Sequence, residues 1–288
     1  MLYIFELLRR QVDQYNIEPR HTYNMDEEGF LIGIVSKMKS IFSRRRYEEG
    51  GTKQIIQEGN RKWITTIACI CADGTSLTFS YSCSRLSSYF WKCTRHPVTG
   101  WQPPEHKTFF TSSPSGWTNN ELGLAWLEQV FDRETKAKTR RSYRLLILDG
   151  HGSHVTMEFS KYCDDNRILL AIYSPHSTHT LQPLDVCMFK PLSSAYSAEL
   201  TDFMNKCQGL STITKRDFFC MFYKPWETSF KSVTILKAFE VTGLSPFNPQ
   251  KVLQRFNKEE KDRPSSSDST TSVLSASDWR KISYSFVM

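Results

Sequence analysis

Residues 144–155, with the sequence RLLILDGHGSHV, contain the strand that decides the predicted fold. An apolar run over residues 145–148 ends in the carboxylate of Asp149, and two glycines and two histidines follow at once. A helix-compatible segment then leads to a second apolar run, RILLAIY, over residues 167–173. This spacing is typical of a βαβ unit, so we predict that the two strands are parallel neighbours. Asp149 would then lie at the carboxyl end of a strand, where ligand sites of α/β sheets form.

The residues before this unit predict antiparallel strands. The segment YNMDEEGF predicts a strand that carries Asp26. The segment KWITTIACICADGTSLTFSY contains two β-rich runs joined at Asp73 and Gly74, a dipeptide that is typical of hairpins. Together these runs predict a three-stranded meander. Further along the chain, Thr118 or Asn119 can cap the helix predicted for NELGLAWLEQVFD.

The order of these elements predicts the fold class. After the meander come a helix, the strand ending in Asp149, a helix, a strand, and a helix that begins close to Asp185. This is the layout of an α/β domain of the RNase H-like class, in which helices flank a mixed sheet. In such a layout, Asp26, Asp149 and Asp185 converge at one edge of the sheet.

A bound cation would stabilise three converging carboxylates. Without a basic partner, Asp26, Asp149 and Asp185 would repel one another, and each would raise the pKa of the others. Mg²⁺ prefers oxygen ligands and retains several waters, which suits carboxylates and phosphate oxygens. Two such ions can activate an attacking hydroxyl or water and stabilise the leaving oxygen of a phosphodiester. The predicted chemistry is therefore metal-dependent cleavage and transfer of a phosphodiester strand at a two-metal site.

Four histidines form two H-x-x-H pairs beside the predicted acids. The pairs are His151 with His154 and His176 with His179. Imidazole is a common zinc ligand, so a zinc site of four histidines is one interpretation. No cysteine has matching spacing, which favours the other interpretation: a neutral histidine that orients a carboxylate or a water, or that faces a phosphate.

The charge of the chain is positive and uneven. The formal net charge is +7, and basic side chains are concentrated in two clusters, namely Arg44, Arg45 and Arg46, and KAKTRRSYR over residues 136–144 with Arg140 and Arg141. Such clusters can bind nucleic acid by releasing counterions from its phosphates. A basic run can equally be a solvated face, and the sequence leaves both interpretations open.

Other sequence features exclude several classes of protein. The eight cysteines are scattered, with no C-x-x-C pair, which is atypical of a zinc ribbon or a secreted disulfide framework and favours a reducing compartment. The N-terminal apolar run is too short for a signal-peptide core. No run approaches the roughly 20 apolar residues of a membrane span, so we expect neither a membrane partner nor a lipid-embedded segment.

Several blocks of the sequence, in their order, resemble a known family. The chain is similar to the DDE superfamily endonuclease domain of pogo-like transposases, especially those of fungal genomes. The resemblance covers about residues 5–255 and is carried by the blocks YNMDEEGF, NRKWITTIACICADG, GWTNNELGLAWLEQVFD, YRLLILDGHGSHVTMEF, YSPHSTHTLQPLDVCMFKPL and ILKAFEVTGLSPFNP.

The resemblance implies a site, partners and a location. Carried over onto this sequence, the metal-binding acids of the family are Asp26, Asp149 and Asp185. The implied partner is DNA, with a homo-oligomer as a further expectation, no small-molecule substrate and a nuclear location. We expect residues 1–20 to be a helical lead-in, residues 21–257 to form the endonuclease domain, and residues 258–288 to be a serine-rich disordered tail.

The sequence also departs from the family pattern. Family members usually carry N-terminal helix-turn-helix domains, and we expect the lead-in to be a remnant of the linker that follows them. A divergent segment at about residues 77–98 predicts a lost strand or a changed register, and Cys187 and Ser193 replace a usual glycine and lysine. Two functions therefore stay open: a metal-dependent endonuclease, or a non-catalytic DNA- or protein-binding module resembling centromere protein B.

Overall fold

A six-stranded mixed sheet forms the centre of the protein in a computed structural model that describes residues 2–32, 62–84, 108–113, 118–150, 156–173, 178–206, 213 and 217–254. The strand order is β4-β3-β2-β1-β5-β6. The strands are β1 (Thr22–Ile32), β2 (Lys62–Cys71), β3 (Ser80–Ser84), β4 (Phe109–Ser113), β5 (Arg144–Asp149) and β6 (Ile168–Tyr173). The sheet belongs to a compact unit over Met1–Val252.

The predicted meander and βαβ unit are both present. Strand β1 is antiparallel to β2, and β2 is antiparallel to β3. Strands β5 and β6 are parallel in a full register from Arg144↔Ile168 to Asp149↔Tyr173. Strand β1 is also parallel to β5, which joins the meander to the βαβ unit in one sheet.

Helices cover both faces of this sheet. They are α1 (Leu2–Tyr15), α2 (Asn120–Trp126), α3 (Arg133–Thr139), α4 (Met157–Asp165), α5 (Thr178–Leu181), α6 (Phe189–Lys206), α7 (Phe218–Ser229) and α8 (Ser232–Val241). Two π-helical turns, Leu127–Asp132 and Leu184–Met188, connect α2 to α3 and lead into α6. The mixed sheet flanked by helices confirms the predicted fold class.

Alternation along β1 divides the core into two layers. Phe30 and Ile32 face a cluster built from α6, α7 and α8. Tyr23 and Met25 face the other cluster, which contains α2, the first π turn and α4. Since side chains alternate along a strand, every even-numbered residue of β1 points to the α6 side. Asp26 is one of these residues.

The hairpin after β2 differs from the predicted one. Gly74 adopts a φ of +90° in the expected turn, but only an isolated bridge between Ile70 and Ser76 follows it. Regular pairing resumes at Ser80, opposite Ile67. The residues between leave the ladder, and there Phe79 packs its ring against Trp226 of α7, with centroids 4.9 Å apart.

The divergent segment keeps a strand. Strand β3 begins within it, pairs with β2, and pairs in parallel with β4 on its other side. Of the two outcomes expected for this segment, the loss of a strand is wrong for the part that the structure describes, and a changed register stays a prediction. Strand β4 was not predicted, because its sequence FFTSS is short, rich in serine and threonine, and without an alternating pattern.

A π-helical turn changes the register of the helix predicted after Asn119. The Asn119 side chain accepts a hydrogen bond from Leu122 N at 2.9 Å, as expected for the cap. Trp126 and Val130 are buried on one face, and the π turn adds Leu127 to the buried side. The helix therefore buries more of its circumference than one stripe.

Helix α1 packs its apolar face against the segment that follows α8. Phe5 and Leu8 are buried, and the Phe5 ring meets the Phe247 ring edge-on at 5.6 Å. The Arg9 guanidinium lies over the same ring.

Among the helices that the structure describes, none has the length and apolar character to cross a membrane. The predicted boundary at residue 20 stays a prediction, and the predicted tail lies outside the described residues.

Gly243 ends α8 with a backbone conformation that few residues adopt. Its φ is +68°, and a Cβ at this position would lie 2.2 Å from the Asn248 carbonyl oxygen. We expect Gly243→Ala to lower the free energy of unfolding by about 2–3 kcal/mol, because left-handed strain and a backbone clash act together. Urea denaturation measures this change. Gln250→Ala, at an exposed position nearby, is the control, and an equal loss in both variants would contradict the prediction.

Candidate metal-binding active site

Asp26 is the most buried of the three predicted acids. It lies on β1 with 9% of its surface exposed, and its Oδ1 accepts a hydrogen bond from Glu27 N at 2.7 Å. Burial raises the pKa of Asp26 well above its ordinary value, and the charges of Asp185 and Asp149 raise it further. Both other predicted acids therefore lie close enough to Asp26 to affect its ionisation.

Asp149 is the last residue of β5 and is half-buried. The parallel pairing of β1 and β5 runs from Thr22↔Leu145 to Asn24↔Ile147 and ends there. Two residues further along each strand come Asp26 and Asp149, which alternation sends to the same face of the sheet. The two acids thus follow the point at which the strands stop pairing.

Asp185 stands in the π-helical turn Leu184–Met188, directly before α6. This position confirms the prediction of an acid near the start of a helix. A π turn widens the helix by one residue, and such turns occur often at functional sites. Burial of Leu184 and Met188 in the α6 cluster holds the turn against the sheet, while Asp185 remains half-buried.

Asn24 joins the three elements that carry the acids. Its side chain is fully buried on β1, and its Nδ2 donates to Ile147 O of β5 at 3.2 Å and to Gln182 Oε1 at 3.0 Å. Its Oδ1 accepts a hydrogen bond from Leu184 N at 3.0 Å. Each partner lies within three residues of Asp149 or Asp185. Asn24 therefore fixes β5 and the π turn relative to β1, two residues before Asp26.

A fourth carboxylate, Glu28, lies on the same face of β1. The structure leaves it half-buried. Burial raises the pKa of Glu28, the hydrogen bond from Ser193 opposes this rise, and the charge of Asp185 adds to it. Ser193 Oγ donates to Glu28 Oε1 at 3.0 Å. Ser193 replaces the lysine that the family resemblance implies, so a neutral donor takes the place of a cation beside the acids.

The sequence did not predict Asn24 or Gln182 as members of this site. For Asn24 a signal existed, because positions 24 and 26 alternate onto the same face of β1. Gln182 carried no such signal, since its contact with Asn24 joins residues that are 158 positions apart.

The donor set of the site suits a hard cation. Asp26, Asp149 and Asp185 offer only carboxylate oxygens, with Glu28 nearby, and such ligands fit Mg²⁺ or Mn²⁺ rather than zinc. In the part of the chain that the structure describes, no three His, Cys, Asp or Glu side chains are grouped closely enough to hold a metal ion. The acids share an edge of the sheet but are not drawn together into a preformed cage.

The remaining predicted site residues fall elsewhere. The side chains of His151, His154, His176 and His179 lie outside the described residues, as do Arg44, Arg45 and Arg46. The zinc interpretation of the histidines therefore stays untested. Arg140 and Arg141 are exposed and lie just before β5, at the opposite end of that strand from Asp149. They are not part of the acidic site.

A known protein family matches the part of the chain that carries two of the three acids. The family described as DDE superfamily endonuclease matches residues 60–239, more than half of the chain. The chain belongs to this family. Its DDE domain carries Asp149 and Asp185 within the matched residues, and Asp26 lies on the strand that pairs with the first matched strand, β2.

Two relatives match parts of the chain. The chain is 33% identical over 246 residues to MFS-type transporter clz9 of Cochliobolus lunatus, covering 85% of this chain and 25% of that protein. It is 32% identical over 89 residues to the mouse (Mus musculus) pogo transposable element with KRAB domain, covering 31% and 14% respectively. The chain thus spans a quarter or less of these relatives, and the name of the first describes a protein four times as long as the match.

The fold is shared with a solved transposase. The Mos1 mariner paired-end complex with Mn superposes with a TM-score of 0.51 at 11% identity, covering 90% of this chain and 61% of that one. At this identity the likeness concerns the fold alone. It confirms the predicted RNase H-like class for the DDE domain.

Proposed function

We propose that this DDE domain cuts and joins DNA strands with Mg²⁺ or Mn²⁺ held by Asp26, Asp149 and Asp185. The observation that carries the proposal is geometric: Asp26 and Asp149 follow the last β1–β5 pair on one face of the sheet, and Asn24 binds the π turn that carries Asp185. The charges of Asp185 and Asp149 also add to the rise in the pKa of Asp26 that burial causes. Carboxylates that disfavour one another's ionised form gain most from a bound cation, because the cation removes that repulsion. The Mos1 mariner paired-end complex was crystallised with Mn, which supports the choice of ion.

The protein residues have distinct parts in this proposal. Asp26 is the anchor, since burial and the Glu27 N hydrogen bond fix its carboxylate on the sheet. Asp149 and Asp185 approach it from β5 and from the π turn, each half-buried and so accessible to an incoming phosphate. Bound ions would polarise the phosphodiester and lower the pKa of the attacking water or 3′-hydroxyl.

Glu28 has a supporting part. It is held by Ser193 and faces Asp185, so it adds negative charge at the rim of the site without occupying the predicted ligand positions. The surface beside it is a depression of about 560 Å³ lined by Phe189 and by polar residues of α6, namely Lys190, Ser193, Ser194 and Ser197. Lys190 is exposed there and places a cation on the lining of the depression.

A nicking assay tests the proposal. Purified full-length chain is incubated with supercoiled plasmid in Mn²⁺, in Mg²⁺ and in EDTA, and an Asp149→Ala preparation controls for contaminating nucleases. We expect nicked plasmid in either metal and none in EDTA. Nicking no greater than that of Asp149→Ala would reject the endonuclease and leave the non-catalytic binding module, with the fold unaffected.

The cellular setting follows from the same proposal. A DNA substrate implies a nuclear location. The Mos1 mariner protein was solved as a paired-end complex, and by analogy we include a homo-oligomer assembled on DNA in the proposal. Light scattering of the chain with and without duplex DNA measures the assembly, and fluorescent tagging measures the location.

A further inference from the structure

A cluster of basic side chains lies where β5 and β6 begin. It borders a depression of about 190 Å³ whose lining contains one carboxylate, Asp165, and five cations. We call these five residues the basic rim: Lys136, Arg140, Arg141, Arg144 and Arg167. Arg144 begins β5 and Asp149 ends it, so at about 3.3 Å per residue the rim lies roughly 16 Å from the acids.

Most of the charge of the rim is not neutralised by the protein. Arg144 and Lys136 share Asp132, with nitrogen–oxygen distances of 2.7 and 3.1 Å. Arg140, Arg141 and Arg167 are exposed, and among the described residues none of the three forms a salt bridge. In the described part of the chain, the side chains of these three arginines make one hydrogen bond: Arg167 Nη1 donates to the Arg141 carbonyl oxygen at 2.5 Å. Three guanidinium groups therefore present their charge to solvent on one surface.

The rim also contains a buried donor without a partner. The side chain of Arg144 is 3% exposed, and its Nη1 and Nη2 are bound by Thr135, Asp132 and the Asn166 carbonyl. Its Nε, by contrast, is buried with no hydrogen-bond partner in the described part of the chain. Arg144 therefore belongs to the base of the rim, and the exposed guanidinium groups of Arg140, Arg141 and Arg167 are the ones that a bound phosphate can reach.

The backbone presents two of the arginines in an uncommon conformation. Arg140 has a φ of +58° just after α3, and Arg167 has a φ of +57° just after α4. Glycine or asparagine is the usual residue at such helix ends, and a bulky side chain costs on the order of 1 kcal/mol there. Both side chains start from fixed loops on either side of the depression.

We propose that the basic rim binds phosphates of duplex DNA at a place separate from the acidic site. Guanidinium groups match phosphate oxygens in pairs, and no cluster of acids lies at the rim, so it binds without cutting. The separation of roughly 16 Å corresponds to about five base-pair steps along a strand. The proposal rests on the proposed function for its ligand, but not on the acids being active.

DNA binding in EDTA tests the rim, because it needs no metal. Fluorescence anisotropy with a labelled duplex is measured over a salt series for wild type and for Arg140→Asn/Arg167→Asn. Asparagine is enriched among non-glycine residues at positive φ, and equal urea midpoints for the variant and wild type check that the fold is kept. The control Arg10→Gln/Lys231→Gln removes the same charge from exposed positions on α1 and before α8. We expect about tenfold weaker binding for the rim variant and a log–log salt slope reduced by about 2, with the control close to wild type.

The outcomes separate this proposal from the proposed function. An unchanged affinity and salt slope in the rim variant would overturn it, as would an equal loss in the control, which would trace binding to net charge. Absence of duplex binding by wild type would also overturn it. If DNA affinity depends on the rim and the chain does not nick plasmid, the rim proposal is supported and the endonuclease is rejected. If the chain nicks plasmid and the rim variant binds DNA as tightly as wild type, the endonuclease is supported and the rim proposal is rejected.

Discussion

Asn24→Ala is expected to lower the DNA-cleavage rate of the protein by about 100-fold and the free energy of unfolding by about 3 kcal/mol. The substitution leaves Leu184 N without its acceptor and Gln182 Oε1 and Ile147 O without their donor. Each buried group that loses its partner costs about 1–3 kcal/mol. Because these groups lie next to Asp149 and Asp185, small shifts in them misplace the acids, and misplacement near 1 Å costs about 100-fold in rate.

A control of similar stability separates positioning from unfolding. Leu127→Ala removes a fully buried side chain in the cluster on the other face of the sheet and should cost about 2–5 kcal/mol. Chemical denaturation gives the stability of both variants, and nicking is measured well below both transitions over a range of Mn²⁺ concentrations. Asn24→Ala should need more Mn²⁺ for half-maximal rate, whereas Leu127→Ala should not. Equal kinetics in the two variants would show that Asn24 is only structural.

Asp132→Leu is expected to destabilise the protein by about 3–5 kcal/mol, because it leaves the Arg144 guanidinium buried without a counter-charge. The pair is 2.7 Å long, and both side chains are more than 90% buried. The double variant Asp132→Leu/Arg144→Met removes both charges and should recover most of the loss. Urea denaturation of wild type, the two single variants Asp132→Leu and Arg144→Met, and the double variant gives the double-mutant cycle. A double variant no more stable than Asp132→Leu would contradict this account.

The same pair predicts a pH dependence. Burial alone would raise the pKa of Asp132, but hydrogen bonds from Arg144 and Lys136 and their charges lower it below its ordinary value. A carboxyl with a lowered folded-state pKa contributes stability above its unfolded pKa of about 3.9 and loses it as pH falls through the folded value. Below about pH 4, stability should therefore fall more steeply in wild type than in Asp132→Leu. Parallel curves from about pH 5 down to about pH 2.5 would exclude this contribution.

Local patterns in the sequence predict the strands that hold the acids. The apolar runs of β5 and β6 are long, regular and bounded, and Asp149 marks the end of the first. Strand β4 has no such pattern, since it is short and lies at the edge of the sheet. The π turns could not be foreseen from a 3.6-residue period, because each adds one residue within a helix that is otherwise continuous.

The three acids can be predicted from the sequence more readily than Asn24, the residue that positions the elements carrying them. The sequence pattern places Asp26 on a strand, Asp149 at a strand end and Asp185 at a helix start, and the family resemblance connects the three. Asn24 acts through partners 123 and 158 positions away, which depend on the pairing of β1 with β5 and on the path of the chain to the π turn. A buried asparagine in a strand looks like a weak strand former until those partners are known.

The early end of the β1–β5 ladder determines how the acidic site can adjust. Among the described residues, the last pair is Asn24↔Ile147, and Asn24 also binds the π turn, so this point works as a pivot. Beyond the pivot, no ladder hydrogen bond fixes the separation of Asp26 and Asp149. Asp26 stays paired with Ala68 of β2, and Asp149 stays paired with Tyr173 of β6, so each acid is held by its outer neighbouring strand. We therefore expect a cation bound by the two acids to change the separation of β1 and β5 beyond Asn24 and Ile147 without breaking the outer ladders.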